Sequence, residues 1–521
     1  MKFNKYSFKE WWLPVLIILG VCLAALGTSP LFKTNPWDDT NAMLTIGRSM
    51  LHGTVPYRDV IDQRGPILYM IFALGAAIKG NSFFGVFVLQ VINIFIIYRL
   101  SFEIAKDFKI KIVKPKWAAL LGPMALISTN AFMLSGSPEE FAFTSILYLL
   151  YVINHYHQRI ELIPLKTYFL LGLNLSLIFW NKYSMIGAFV VFFVWVAYVL
   201  LRKKEYQVLR QIVIASVLGF LSISIVVLIY FAIHGAVGDL FKTYFVLNLT
   251  SYGASPQTGL MKFWNFLFLV AQEIREYLLV VMIIVAGWIK AIFEKKNVSL
   301  EVGMFAGSLL FVAMQHWVSS YYNLVWIVFL IVALMRLLQF KIPRRFYSNK
   351  KTAYIFNLLI ASCLIFLPLA NNYTDLSRLV VKGNKLSLNS SQYVAQPQFA
   401  KIMHAESKGK QPTLLMINDL DQGFFLSANI FPTTRYWQRL NMNYQQLPQM
   451  YLSFKNNMDK KKVDFVIVKL AGTPNKLQID LNTQVQSAID PHLYDSLNKN
   501  YRINSMAQNN PNESFILYQK K

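Results

Sequence analysis

Long apolar runs are the feature that most constrains how this chain can fold. Runs close to the ~20 residues that a bilayer-crossing helix needs recur through the first 370 positions, separated by short polar loops. The 521-residue chain is 55% hydrophobic and only 15% charged, a balance atypical of soluble domains. The sequence therefore predicts a polytopic α-helical membrane protein.

We expect about eleven transmembrane helices. Their predicted spans are Trp11–Thr28, Phe83–Leu100, Trp117–Leu134, Phe141–Asn154, Thr167–Trp180, Met185–Leu201, Ile212–Phe231, Leu278–Phe293, Val298–Gln315, Tyr321–Phe340 and Thr352–Ala370. The first run is long for a signal peptide, and no small-x-small cleavage pattern precedes Pro30. We therefore expect a retained first helix with its N-terminus in the cytoplasm.

The placement of basic residues supports this topology. The net charge is +25, and the basic residues collect in alternate loops, as the positive-inside rule requires. This distribution argues against a nucleic-acid partner. The asymmetry holds only if Pro66–Lys79 does not cross the membrane, and at about fourteen residues it is too short to do so. We expect it to form an interfacial helix on the outer surface.

The sequence predicts two domains, 1–370 in the membrane and 371–521 outside it. After Ala370 the composition shifts to Asn, Gln, Lys and Ser, and an odd number of spans places this part on the extracytoplasmic side of a cell membrane. Three short apolar runs predict strands of a small α/β domain: Thr413–Ile417, Val463–Val468 and Phe515–Tyr518. The segment Gln445–Asn457 predicts a helix or a loop of the same domain. Its excess of basic residues indicates either an anionic partner or a solvated basic face.

The first outer loop, residues 30–82, concentrates charge in a chain that has little of it. Asp38 and Asp39 precede a predicted surface helix at Thr40–Leu51, where the positive end of the helix dipole favours carboxylates. Four acids and three arginines lie between Asp38 and Arg64. A mere helix-capping role for the acidic pair stays open at this point.

The loop resembles the first outer loop of the C-type (GT-C) membrane glycosyltransferases, which include the protein O-mannosyltransferases and the lipid A aminoarabinose transferase. The matching features are the acidic pair, a short helix, Gly53-x-x-Pro56-Tyr57 and Asp62-x-Arg64-x-Pro66 before an apolar helix. The resemblance extends to the topology of about the first 370 residues. Arg64 stands where lysine is common, and Asp39 where glutamate is common.

The resemblance implies transfer of a sugar from a polyprenyl-phosphate donor to a cell-envelope acceptor. It also implies a second acidic site at Glu139 and Glu140, a lipid-phosphate contact at Lys182, a third surface helix at Gly238–Gly253, and a functional turn with His316, Tyr321 and Tyr322. The alternatives are a solvated turn for the two glutamates, a snorkelling lysine, aromatic anchoring for the third helix and an interfacial histidine.

The chemistry of such a donor requires a single base. The departing phosphate is stable as an anion and needs no acid, so one carboxylate suffices to deprotonate the acceptor hydroxyl, and attack from the opposite face inverts the anomeric carbon. Cations neutralise the phosphate oxygens. The expected roles are Asp38 as base; Asp39, Asp62, Glu139 and Glu140 in orienting the acceptor or a cation; Arg64, Lys182 and Arg58 at the donor phosphate; and Tyr57, His316 and Tyr322 as substrate contacts.

Metal use and the rival functions stay open. The acids could hold Mg²⁺ or Mn²⁺, whereas no His or Cys cluster has zinc spacing, and Cys22 and Cys363 lie inside apolar runs. A transporter or flippase of lipid-linked sugars would also need many spans, but the sequence has few of its expected marks, which are charged residues near the midplane and paired broken helices. A cell-wall-binding receptor would leave the loop acids unexplained. The lysine- and asparagine-rich tail and the absence of organelle signals favour a bacterium whose outer face carries teichoic acids or similar glycopolymers.

Overall fold

A computed structural model describes residues 11–32, 35, 37–133, 135–252, 259–315, 319–339, 350–370, 394–474 and 478–521. His316 and the predicted start of the C-terminal domain at residue 371 lie outside these residues. The chain divides into two compact units. The first contains the described residues within 1–26, 89–227 and 256–376, and the second those within 27–88, 228–255 and 377–521.

The chain is helical up to residue 370. In chain order the α-helices are α1 (Trp12–Ala25), α2 (Asp38–Met50), α3 (Pro66–Ile78), α4 (Phe84–Asp107), α5 (Pro115–Ala118), α6 (Leu121–Ile127), α7 (Pro138–His155), α8 (Leu165–Lys182), α9 (Gly187–Arg202), α10 (Tyr206–Ile233), α11 (Val237–Leu240), α12 (Gly259–Glu276), α13 (Leu278–Phe293), α14 (Ser299–Ala313), α15 (Leu324–Ile327), α16 (Phe329–Leu337) and α17 (Lys350–Ala370). A π-helical segment, Phe241–Tyr252, follows α11.

The long apolar helices confirm a multi-pass membrane protein. Among the described residues, three helices are long and apolar enough to span a membrane, and this number rises to at most six if each bent helix pair counts as one span. Helix α10 exposes apolar side chains such as Val217, Ile225 and Ile229, as a lipid-facing helix does. The eleven crossings stay a prediction, because the other predicted spans form shorter or less apolar helices.

One predicted span, Trp117–Leu134, is wrong. This stretch contains the end of α5, then α6, and then a 3₁₀ turn at Asn130–Phe132, instead of one long helix. Pro123 lies in the first turn of α6, where its missing N–H is tolerated, and its ring disfavours a continuous helix from α5. Tyr321–Phe340 is also interrupted, because the segment up to Ile327 and α16 meet at a bend of 48°.

Helix α12 was not predicted from the sequence. It carries Lys262, Glu273, Arg275 and Glu276, and these charges interrupt the apolar run on which the span prediction depended. It joins α13 at an 85° bend. The helix is therefore apolar on only part of its surface.

A buried ion pair between Glu301 and Arg336 connects four helices of the first unit, α7, α13, α14 and α16. Glu301, at the start of α14, accepts bonds from Arg336 Nη2 and Nη1 at 2.5 and 3.0 Å and from Trp288 Nε1 of α13 at 2.8 Å. Arg336 also donates to Asn154 Oδ1 of α7 at 3.1 Å. Both charged side chains are almost fully buried, so each depends on the other.

Replacing Glu301 with glutamine should destabilise the first unit by about 3 kcal/mol, because it leaves the Arg336 charge buried and unpaired. Thermal unfolding of the detergent-solubilised protein measures the loss. Glu294→Gln is the matched control: the Glu294 side chain is 37% exposed and pairs with Lys290 and the exposed Lys296, and its loss should cost less than about 1 kcal/mol. Equal effects of the two substitutions would contradict the assigned role. The double variant Glu301→Met/Arg336→Met should recover part of the stability.

Two helices of the second unit, α2 and α3, confirm that the two segments predicted as surface helices in the first outer loop are helical. Their backbones approach closely at Gly47, where a Cβ would lie 2.6 Å from the backbone of Phe72 and Ala73. A side chain at this position would therefore separate the helices. The orientation of α3 along the membrane surface stays a prediction.

The C-terminal part of the second unit is an α/β domain, as predicted. Its strands are β1 (Leu414–Met416), β2 (Phe465–Ala471), β3 (Tyr501–Asn510) and β4 (Glu513–Lys520), and its helices are α18 (Ala395–Glu406), α19 (Phe424–Ser427), α20 (Pro448–Asp459), α21 (Gln478–Ala488) and α22 (Pro491–Asn500). The sheet order is β1-β2-β4-β3, with β1 and β2 parallel and the other neighbours antiparallel.

Two features of this domain were not visible in the sequence. Strand β3 was missed because it is a polar, half-exposed edge strand without an apolar run. Ile61 of the first outer loop is 5% exposed and packs into the core of the domain with Leu440 and Tyr451, and its N–H donates to Arg435 O at 2.8 Å. The loop and the C-terminal domain thus share one hydrophobic core.

Candidate active site

Asp38 is the first residue of α2. The preceding residue, Trp37, makes no side-chain cap, and Asp38 Oδ1 accepts the N–H of Asp39 at 2.8 Å. Asn41 Nδ2 donates to the carbonyls of Asn35 and Trp37 at 2.9 and 3.0 Å, which fixes the chain as it enters the helix. The acidic pair therefore lies in the first turn of a well-anchored helix, at the positive end of its dipole.

The guanidinium of Arg64 bridges Asp39 and Asp62. Its Nη2 contacts Asp39 Oδ1, and its Nη1 lies 2.7 and 2.9 Å from the two oxygens of Asp62. Asp62 also accepts the hydroxyl of Tyr69 at 2.8 Å, and it is 1% exposed. Arg64, predicted to contact the donor phosphate, here pairs with two carboxylates of its own loop.

Tyr57 and Arg58 have different surroundings although they are neighbours. Tyr57 is fully buried, adopts a positive φ of 70°, and donates its hydroxyl to Arg64 O at 2.6 Å. It therefore supports Arg64 from inside the loop. Arg58 is exposed, pairs with Asp59 at 2.8 Å and donates to His234 O at 2.7 Å.

The C-terminal domain contributes a buried carboxylate that binds α2. Asp421, in the loop after β1, accepts the Thr45 hydroxyl at 2.7 Å and the N–H groups of Gly423 and Phe424 at 2.9 Å each. Its own N–H donates to Gln438 Oε1 at 2.8 Å. Hydrogen bonding to the ionised form offsets part of the desolvation that raises the pKa of Asp421.

Gln438 joins this network to the acidic loop. Its Nε2 lies 3.4 Å from Asp62 Oδ2, within the cluster that Arg64 bridges. Gly423 has a φ of +88°, and a Cβ there would lie 3.2 Å from the Asn41 side chain of α2. The loop after β1 therefore fits tightly against the helix that carries Asp38.

The environment of Asp38 is suited to a base. Burial, followed by the charges of Asp39 and Asp419, raises its pKa to about 7, while the nearby Lys469 lowers it. Lys469 is itself paired with Asp419 at 2.7 Å and with Glu513 at 3.1 Å. A carboxylate with this pKa is partly deprotonated at neutral pH and still basic enough to accept a proton.

A second acidic cluster, formed by Glu139 and Glu140, lies in the first unit. Glu140 lies in the first turn of α7, is fully buried, and accepts Gly136 N–H at 2.6 Å and Gln90 Nε2 at 3.0 Å. Its N–H bonds to Ser137 Oγ, the helix cap, at 3.2 Å. This burial excludes the alternative of a solvated turn.

Glu139 and Lys182 form the charged part of this second cluster. Glu139 is 1% exposed and accepts Lys182 Nζ at 2.6 Å. The same ammonium lies 3.2 Å from the ring centre of Tyr322 and 5.8 Å from that of Tyr321. Lys182 is thus held between a buried carboxylate and an aromatic face, which a simple snorkelling lysine would not need.

The structure brings the predicted residues together in two groups. The second unit holds Asp38, Asp39, Tyr57, Arg58, Asp62 and Arg64, and the first holds Glu139, Glu140, Lys182 and Tyr322. Sequence reasoning missed five residues of the second unit: Thr45, Asp419, Asp421, Gln438 and Lys469. The only signal for any of them was the Asp419–Gly423 pattern of a loop after a strand.

The described residues contain no group of three or more His, Cys, Asp or Glu side chains placed to hold a metal ion. The cation between Asp39 and Asp62 is the guanidinium of Arg64.

Comparison with solved structures identifies the fold. ArnT from Cupriavidus metallidurans, bound to undecaprenyl phosphate or in the apo state, superposes with a TM-score of 0.59 at 11% identity, covering 98% of each chain. An oligosaccharyltransferase from Archaeoglobus fulgidus is similar at a TM-score of 0.38, with 12% identity over 88% of this chain and 67% of that one. No family model matches the sequence, and no curated protein matches it significantly.

The chain therefore has the GT-C fold that its first outer loop predicted: a polytopic helical membrane part followed by a small α/β domain. The similarity to the ArnT structures runs over nearly the whole length of both chains.

Proposed function

We propose that this protein is a membrane glycosyltransferase that moves a sugar from a polyprenyl-phosphate donor to a cell-envelope acceptor at the outer face of the membrane. Asp38 is the general base, and the transfer inverts the anomeric carbon. The observation that carries the proposal is a half-buried carboxylate with a pKa of about 7 at the start of α2, in a chain with the GT-C fold.

The surroundings of Asp38 support its role. Arg64 forms an ion pair with both Asp39 and Asp62, so these two carboxylates are held in place as a fixed ionic cluster. Asp38 forms no ion pair with a described residue, and its Oδ1 accepts the N–H of Asp39. Of the three carboxylates, Asp38 is thus the one without a direct ion pair to a described residue, and it can accept the proton of an acceptor hydroxyl.

The accessible cations are the candidates for binding the phosphate of the lipid-linked donor. Lys182 is the candidate in the first unit and Arg58 in the second, because each keeps an exposed part of its side chain. Neither needs to donate a proton, since a phosphate leaves as an anion. Undecaprenyl phosphate, the ligand of one ArnT structure, is the first lipid carrier to test.

Transfer from defined donors tests the proposal. The purified protein in nanodiscs is incubated with undecaprenyl-phosphate-linked sugars and a cell-envelope extract, and transfer is followed by radiolabel. The anomeric configuration of the product, determined by NMR, tests inversion separately. Release of the lipid phosphate without sugar transfer, or movement of the donor across the bilayer without cleavage, would contradict the proposal.

Lys182→Met should raise KM for the lipid-linked donor by about tenfold or more, because it removes a positive charge from the phosphate site. Steady-state kinetics with varied donor measures this effect. Lys166→Met, an exposed lysine on the same helix, should leave KM unchanged. Because Lys182 also neutralises Glu139, the double variant Lys182→Met/Glu139→Gln separates the roles: recovered stability with KM still raised supports donor binding, whereas recovered KM would contradict it.

A further inference from the structure

Basic side chains cluster at one edge of the C-terminal sheet. This edge is formed by the start of β1, the start of β2, the start of β3 and the end of β4, since β1 and β2 are parallel and β4 runs antiparallel to β2 and β3. The exposed basic residues there are Lys408, Lys410, Lys460, Lys461, Lys462, Lys499, Arg502, Lys520 and Lys521. We call this set the basic edge.

The acids of the basic edge are few and already have partners. Asp464 pairs with Lys520 and accepts the Thr413 hydroxyl at 2.8 Å. Asp459 accepts Asn500 Nδ2 at 3.2 Å, and Glu406 accepts Gln519 Nε2 at 3.1 Å. The positive charge of this surface is therefore largely uncompensated.

Helix ends account for only part of the basic edge. Helices α18, α20 and α22 all end there, and the negative end of a helix favours basic residues. Lys521 Nζ donates to the carbonyls of Asn498 and Lys499 at 2.5 and 3.2 Å. Five other lysines form no ion pair with any described residue: Lys408, Lys410, Lys460, Lys462 and Lys499.

The basic edge lies at the opposite end of the sheet from the acidic loop. Asp419 and Asp421 follow β1 at its far end, where Asp421 binds Thr45 of α2. Strand β2 has 7 residues, which at about 3.3 Å per residue separates the two ends by roughly 20 Å. The lysines thus lie at the other end of the sheet from the loop that binds α2, the helix that carries Asp38.

We infer that the basic edge binds a soluble polyanionic polymer with repeated phosphate groups. Exposed ammonium groups distributed along one edge suit a chain of successive phosphates, which each lysine contacts as a point charge. We expect α3 to lie on the membrane surface, so a bilayer is disfavoured as the occupant of an edge at the opposite end of the sheet from the loop that binds α2. The inference goes beyond the proposed function and does not depend on it, since binding requires no donor and no catalysis.

Binding of long-chain inorganic polyphosphate to the full-length protein in uncharged nanodiscs tests the inference. We expect saturable binding that weakens with salt. The triple variant Lys408→Gln/Lys460→Gln/Lys462→Gln should weaken it at least tenfold and reduce the slope of log Kd against log salt by about 2. The matched control, Lys166→Gln/Lys204→Gln/Lys295→Gln, removes the same charge from exposed lysines of the first unit and should bind like the parent.

Two results would overturn the inference. One is equal weakening by the two triple variants, which would show a general effect of net charge. The other is binding to phosphatidylglycerol vesicles, but not to polyphosphate, that is lost in the basic-edge variant, which would identify a lipid surface as the partner. Because the measurement contains no sugar donor, either result leaves the proposed transferase activity to its own test.

Discussion

Asp38→Asn should lower sugar transfer by about 10³-fold or more while the protein stays folded. Loss of a positioned general base typically costs 10²–10⁴-fold, and here no second carboxylate of the loop is without a cation, since Arg64 holds both Asp39 and Asp62. Radiolabel transfer at saturating donor measures the loss. A receptor or a flippase should retain its function in this variant.

The stability of the same variant separates a catalytic role from a structural one. The pKa of Asp38 is raised from 3.8 to about 7 by burial and by neighbouring carboxylates, so folding disfavours its charged form. This group therefore stabilises the fold less as the pH rises from about 4 to 7. Asparagine is never charged, so the unfolding temperature at pH 8 should equal or exceed that of the parent. A variant that unfolds early would contradict the assigned environment.

The pH dependence of kcat/KM tests whether Asp38 is the base. Because Asp38 must be deprotonated, kcat/KM should rise with pH through about 7 and then level off. Asp419→Asn removes a carboxylate that raises this pKa and an ion-pair partner of Lys469, so it should move the rising limb to lower pH. Asp495→Asn, an exposed acid of α22, is the matched control and should leave the profile unchanged.

The sequence predicted the elements that local patterns encode. The helices α2 and α3, the acidic pair in the first turn, and the strands β1, β2 and β4 all follow from apolar periodicity and its breaks. The polar strand β3 and the charged helix α12 lack those patterns and were missed. The fold class was predictable because the apolar runs and one loop motif point in the same direction.

The partners of the site could not be predicted in the same way. Gln438 and Asp62 are separated by 376 residues, as are Asp421 and Thr45, and no local pattern specifies either pair. Arg64 illustrates the same limit: its charge and position in the motif predicted a phosphate contact, whereas its bridging of Asp39 and Asp62 depends on how the loop closes on itself. Residue type indicates the chemistry that a side chain can do, and the fold determines its partner.

Arg64→Met should destabilise the second unit by about 3–5 kcal/mol and reduce transfer at least tenfold, because it leaves two buried carboxylates facing each other without a cation. Thermal unfolding and transfer kinetics measure the two effects. Arg58→Met is the matched control for stability alone, since Arg58 is a candidate phosphate contact: it pairs with Asp59 at the surface, and its loss should cost less than about 1 kcal/mol. Equal destabilisation by the two variants would contradict the bridging role.

Compensating substitutions then separate the structural role of Arg64 from its role near the base. Arg64→Met/Asp39→Asn/Asp62→Asn removes both uncompensated charges and should regain most of the lost stability. Its free energy of unfolding should differ from the sum of the separate effects by about 1 kcal/mol or more, as is common for residues in contact. Transfer should stay low, because the triple variant also lacks the Asp39 charge that helps to raise the pKa of Asp38. Arg64→Lys, which keeps the charge but cannot bridge two carboxylates with a planar fork, should fall between the parent and Arg64→Met in both measurements. Full recovery of transfer in the triple variant would show that the ionic cluster serves folding alone.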